Sequence, residues 1–274
     1  MTRIDPLSAP AWVVVVVVVV GFVVGLVLAR RLATTEYRLD DEDVRPVGAL
    51  PSAQAMSAGM TRATRQAMKQ RPGQGPLPHE PRPLPGPPWV VAVAVPALWG
   101  LLAWQLGGMA HGSALPAYLL LASLGVALVW IDIDVHRLPE GLTLPAIPSV
   151  ALLLAVASLT TGDWGALGRA ASCGVAGYLF YLVLALLVPG GLGFGDATLG
   201  GLVSLPLGYL GFSEAVMGVV LTYLCGGLFS LVAIALRRVR LKGYIAFGPF
   251  IVTGSLAAVF LQFTGYAGLL NPGH

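Results

Sequence analysis

The chain has 274 residues, 56% of them hydrophobic and only 11% charged, with a formal net charge of +3. Soluble domains usually carry about 25% charged residues, and several apolar runs here match the roughly 17–25 residues that a membrane-crossing helix needs. The composition therefore excludes an ordinary soluble domain, and the basic excess speaks to membrane topology rather than to nucleic acid.

The first apolar run, 12–29, contains eight consecutive valines. A secretory signal peptide is the alternative reading. The run is too long for one, and Arg30 and Arg31 stand where a small-residue cleavage site would lie. It is expected to be an uncleaved anchor, making 1–30 an N-terminal unit.

Segment 31–88 is polar and ends in PLPHEPRPLPGPP. Such a stretch cannot bury a core and reads as a cytoplasmic linker with polyproline character. Its acidic cluster, Asp40, Asp41, Glu42 and Asp43, reads as a solvated run.

Seven further spans follow, at roughly 89–106, 115–131, 142–160, 170–188, 197–211, 215–236 and 247–263. The sixth of the eight, 197–211, is the shortest and the weakest. The expected fold is an all-α polytopic membrane protein of about eight transmembrane helices. Its membrane core would cover 89–263, and 264–274 would be a short extracytoplasmic tail. Cys173 and Cys225 lie inside apolar runs without CxxC spacing, so both read as small packing residues.

Alternating spans collect fourteen basic residues on one side, in 30–88, at Arg137 and in 237–246; Arg3 and Arg169 fall on the other. Positive loops stay cytoplasmic, so the N-terminus is expected outside.

Outside the linker few acids remain. Asp5, Asp163 and Glu214 fall in extracytoplasmic segments; Asp132, Asp134, Glu140 and Asp196 fall on the cytoplasmic side. Asp132 ends the third span, in VWIDIDVHRLPE, and Asp196 precedes the sixth, in GLGFGDATLG. Two spans separate them, and an even number of crossings returns the chain to the same face. Two carboxylates in one partly dry site share a proton. The ionised member can deprotonate water while the protonated one donates to a carbonyl oxygen. The four histidines are scattered and no HExxH helix occurs, so no metal site is expected.

Gly193 and Gly195 flank Phe194 directly before Asp196. Lacking a Cβ, they permit close approach of another backbone. An extended substrate could lie there; a plain interhelical turn is the competing reading.

Asp132 followed by Leu138-Pro139, then Gly193-Phe194-Gly195-Asp196, resembles the prepilin peptidases, GxGD-type intramembrane aspartic proteases. GLTLPAIP (141–148) and GYIAFGPFIVTGSL (243–256) are similar to further stretches of that family. The resemblance covers roughly 89–263. It implies an endopeptidase that cleaves the leader of prepilins and pseudopilins after a glycine, at the cytoplasmic interface of a bacterial inner membrane. It implies Asp132 and Asp196 as the catalytic pair. Asp134 aligns with a common but non-catalytic acid, placed here with Gly193, Phe194 and Gly195 at the substrate. Phe247-Gly248-Pro249-Phe250 is expected to start the last helix, proline suiting a first turn.

The chain departs from the family in places. Glu140 stands where Asp or Asn is frequent, and Thr198 where lysine is frequent. Many bacterial members also carry paired CxxC motifs and N-methylate the new N-terminus. Segment 31–88 has no cysteine, so a peptidase-only enzyme without zinc, S-adenosylmethionine or another cofactor is expected. The competing classes are a proton- or ion-coupled transporter using the same acids, and a non-catalytic pilus or secretion assembly factor.

Overall fold

A computed structural model describes residues 11–34, 84–106, 112–135, 138–187, 192–236 and 246–261. Most of the expected linker, Arg137, the basic loop beyond Leu236 and the 264–274 tail lie outside the described residues.

The described residues fold into eight α-helices: α1 Ala11–Ala33, α2 Trp89–Leu106, α3 Leu115–Val135, α4 Glu140–Thr161, α5 Trp164–Leu187, α6 Phe194–Leu210, α7 Phe212–Ala235 and α8 Gly248–Leu261. A single 3-10 turn, Gly112–Ala114, leads into α3. No strand occurs among them. α1, α2, α3 with its leading turn, α4, α5 and α7 are long and apolar enough to cross a membrane. Their outer faces carry exposed Val15, Val19, Leu152, Leu159, Leu186, Leu224 and Leu231. A water-soluble protein does not leave so much apolar surface uncovered; hydrocarbon is its natural solvent. The chain is an all-α polytopic membrane protein.

The weakest predicted span occupies the centre. α6 has 17 residues and so extends about 26 Å, a little short of an average hydrocarbon core of about 30 Å. From Ala197 to Leu210 every residue is buried except Thr198 and Leu205, which are half-buried. Such a helix faces protein all round. α5 makes the most extensive contact with it, and α4, α7 and α8 complete the surround. Polar side chains tie the layers: Tyr118 of α3 donates to the Pro206 carbonyl at 2.7 Å, and Ser158 of α4 hydrogen-bonds Tyr209 at 3.2 Å. These bonds matter because lipid offers the groups no alternative partner.

α5 starts at Trp164, a turn and a half before the expected 170. Gly162 ends α4 with φ +76°, and its N–H donates to Ser158. Asp163 then caps α5 by accepting the Ala166 N–H at 2.8 Å. This makes a tight helical hairpin, so α4 and α5 run antiparallel.

α1 packs along α2, with only slight contact to α3. Gly21 and Gly25, one turn apart, let the helices close: a Cβ on Gly25 would lie 3.1 Å from the Ala92 backbone. Cys173 is buried against Gly208 across the α5–α6 contact, and both cysteines are free. That is the small-residue packing role expected of Cys173.

Candidate active site

Asp132 lies in the last turn of α3 and is only 4% exposed. Its Oδ2 accepts the Gly248 N–H at 2.9 Å, across 116 residues of chain. Gly248 opens α8, so the carboxylate sits against a helix N-terminus. Pro249 follows in that first turn, as expected for the FGPF element. Gly248 has no room for a side chain: a Cβ there would stand 2.6 Å from Asp132 Oδ2.

Asp196 occupies the third position of α6, after Gly193 as the N-cap residue. Its Oδ2 accepts the Gly193 N–H at 2.8 Å, so this acid too is held at a helix N-terminus. The two carboxylates act on one another electrostatically. Removing a charge from water costs several kcal/mol even after relaxation. A charge-assisted hydrogen bond returns about 1.5–3 kcal/mol and a helix N-terminus up to about 2. Each acid alone is thus roughly offset by its helix end, while the pair retains its mutual repulsion.

The segment after Asp132 closes onto the second motif. A Cβ on Gly195 would meet Leu138 Cβ at 2.9 Å. The close neighbour at Gly195 is therefore the chain's own Leu138, not open space for a foreign strand. Gly193 is exposed, and a Cβ there would meet nothing nearer than Asp196 Oδ2 at 3.7 Å. Phe194 is 64% exposed. Asp134 is half-buried on α3, and Glu140 is exposed in the first turn of α4. Thr198 bonds back to the Phe194 carbonyl within its own helix, at 3.2 Å.

Beneath the acids lies a layer of rings. Tyr181 of α5 stacks on Tyr223 of α7, with centroids 6.2 Å apart. Tyr223 meets Phe247 at 5.5 Å, and Phe247 meets Phe250 at 6.0 Å. Asp196 acts electrostatically on both tyrosines. Sequence reasoning singled out neither the Gly248 donor nor this layer. The glycine between Phe247 and Pro249 was the available signal for the donor. Among the described residues no group of three or more His, Cys, Asp or Glu could hold a metal.

Fold and site define a polytopic helical membrane protein with two interacting carboxylates, each held at a helix N-terminus. Residues 119–231 match the type IV leader peptidase family, a span that includes both acids and most of α3 through α7. Two curated relatives, the prepilin leader peptidase/N-methyltransferases of Burkholderia pseudomallei strains 1026b and K96243, are each 36% identical over 157 residues. The match covers 54% of this chain and 47% of each relative. The chain thus spans about half the length of the curated relatives it matches. No solved structure matches it.

Proposed function

We propose that this protein is a membrane aspartic endopeptidase that removes the leader peptide of prepilin-like proteins, with Asp132 and Asp196 as its catalytic pair. The observation that supports it is the pairing of two acids from distant parts of the chain, each pinned through one oxygen by a main-chain N–H. Such a grip fixes the carboxylates in place, and positioned general acid–base groups need that. In the proposed cycle the pair shares one proton. The ionised carboxylate takes a proton from water, and the hydroxide formed attacks the scissile carbonyl carbon. The protonated carboxylate donates to the carbonyl oxygen. Collapse of the tetrahedral intermediate breaks the C–N bond: the leaving nitrogen takes up the proton that the base had gained, and a hydroxyl of the gem-diol returns its proton to the other carboxylate. The pair titrates as a unit.

The catalytic unit in this reading is 89–263, with 1–30 as an anchor and 31–88 as a cytoplasmic linker. The substrate is a basic leader ending in glycine and running into an apolar helix, which packs beside the enzyme's own spans in a bacterial plasma membrane. Gly193 and Phe194 line its path, with Asp134 near the basic leader. Because Leu138 covers Gly195, the strand runs along the exposed Gly193–Phe194 side. The activity is peptidase-only, needing no cofactor.

The test is co-expression with a prepilin-like substrate. Asp132→Asn and Asp196→Asn each lower leader cleavage by about 10²–10⁴-fold, the usual weight of a general acid or base. Processing at the wild-type rate in both variants would show that the aspartic mechanism is wrong.

A further inference from the structure

The N-terminal parts of the chain have no role in the cycle above, yet they reach the helix turn that carries Asp132. Trp130 lies two residues before that acid on α3, about 3 Å along the axis and about 200° around it. Asp132 faces the start of α8, where Gly248 holds it, so Trp130 faces the other way. There it is 8% exposed and shares one buried cluster with Ala29 and Leu32 of α1 and Val91 and Val95 of α2. These residues belong to the last turns of α1 and the first turns of α2. Three helix ends therefore meet at the indole.

The proline-rich run that precedes α2 completes the enclosure. Leu84 packs against the same cluster. Gly86 runs past the far edge of the indole, where a Cβ on it would be in ordinary contact with Cζ3 at 3.8 Å. Proline-rich chain is stiff before it docks on an aromatic face and loses little entropy in doing so. Packing alone holds the ring. A buried indole N–H usually finds a hydrogen-bond partner, but among the described residues this one has none.

Helix ends fray unless they are held. The last turn of α3 is gripped on one face by the Gly248 N–H and on the other through Trp130. We propose that Trp130 is a positioning residue for Asp132, and that α1 and the 84–88 end of the linker belong to the catalytic unit because they clamp its indole. This rests on the leader-peptidase reading and extends its catalytic unit beyond 89–263.

Full-length variants, purified in detergent, are assayed on a prepilin-like protein whose basic leader ends in glycine. Trp130→Ala empties the clamp. Its kcat is expected to fall by about 10–100-fold, as for a displacement of up to about 1 Å at a catalytic group. KM stays within about threefold of wild type, because no substrate contact is lost. Trp130→Phe keeps an aromatic face and loses no bonded group, so kcat is expected to recover to within about fivefold of wild type. Trp99→Ala is the comparison. Trp99 of α2 donates to Leu119 and Ser123 of α3, so its loss loosens the same helices, but Ser123 is about 13 Å along α3 from Asp132. Its unfolding temperature falls, while its kcat stays within about threefold of wild type. Leu32→Ala and Leu84→Ala each thin one side of the clamp, and they decide the matter should Trp130→Ala not fold. Each lowers kcat by about 3–10-fold. Wild-type kcat in folded Trp130→Ala, or in either leucine variant, overturns the inference. An equal loss in Trp99→Ala also overturns it, because the effect would then be one of general stability. With Asp132→Asn inactive on the same substrate, these results leave the peptidase reading standing. A wild-type enzyme that cleaves no prepilin-like protein overturns both.

Discussion

At the scale of single residues, the site depends on what its glycines leave out. Gly248 gives Asp132 both a donor and the space beside it, and these can be separated by substitution. Gly248→Ala keeps the N–H but places a methyl 2.6 Å from Asp132 Oδ2, closer than real carbon–oxygen contacts. The carboxylate or the start of α8 has to shift, and a displacement of about 1 Å at a catalytic group costs about 10²-fold in rate. Leader cleavage is expected to fall by about that factor, while the helical signal in circular dichroism stays unchanged. Gly168→Ala, on α5 near the opposite end of the bundle, is the control. Nothing lies within 4 Å of its missing Cβ, so its cleavage rate is expected within about threefold of wild type by the same positional argument. Equal losses in the two variants would mean that contact with Asp132 is not what matters at Gly248. The acids themselves were legible in the sequence, because charged groups stand out in an apolar chain and crossing parity puts both on one side. Their donors were less so. The Gly193 partner is three residues from Asp196, but Gly248 is 116 residues from Asp132, a separation that no local pattern bridges.

Elements were read well wherever hydropathy alone decides. All eight spans have a helix at the expected place. The errors fall where polar residues serve the helix. α5 takes in Trp164–Arg169, which looked like loop because Asp163 and Arg169 lie there, yet Asp163 is the cap that starts it. The burial of α6 was also hidden, since a helix surrounded by protein and one facing lipid can be equally apolar. What distinguishes α6 is its small residues. Tyr181 is seated directly over Gly200, and a Cβ on that glycine would overlap the ring. Gly200→Ala therefore overpacks the α5–α6 contact, at an expected cost of about 1–3 kcal/mol. Gly227→Ala on α7, where nothing lies within 4 Å, is expected to be neutral or slightly stabilising, because alanine is the better helix former by up to about 1 kcal/mol. Thermal unfolding in detergent compares the two. A Gly200→Ala protein as stable as Gly227→Ala would show that the helices can part without penalty.

At the scale of the whole molecule the decisive quantity for the proposed activity is sidedness, since a leader peptidase works only on the face where the leader is. α3 ends and α6 begins at the acids, and α4 and α5 form the antiparallel hairpin between them. The Gly162–Asp163 turn is therefore at the opposite end of the bundle from Asp132 and Asp196. The basic segments 30–88 and 237–246 belong with the acids by span alternation, and basic segments are retained in the cytoplasm. The predicted orientation puts Thr161 outside and Glu140 inside. Both are exposed, so each can be replaced by cysteine and probed with a membrane-impermeant thiol reagent. The background carries Cys225→Ala, while Cys173 is kept because it is buried against Gly208. Thr161→Cys is expected to label in intact spheroplasts and Glu140→Cys only after lysis. The reverse pattern would put the acids outside, away from a cytoplasmic leader. Labelling of both in intact spheroplasts would mean that α4 does not cross, and the parity that brings the two aspartates to one face would fail with it.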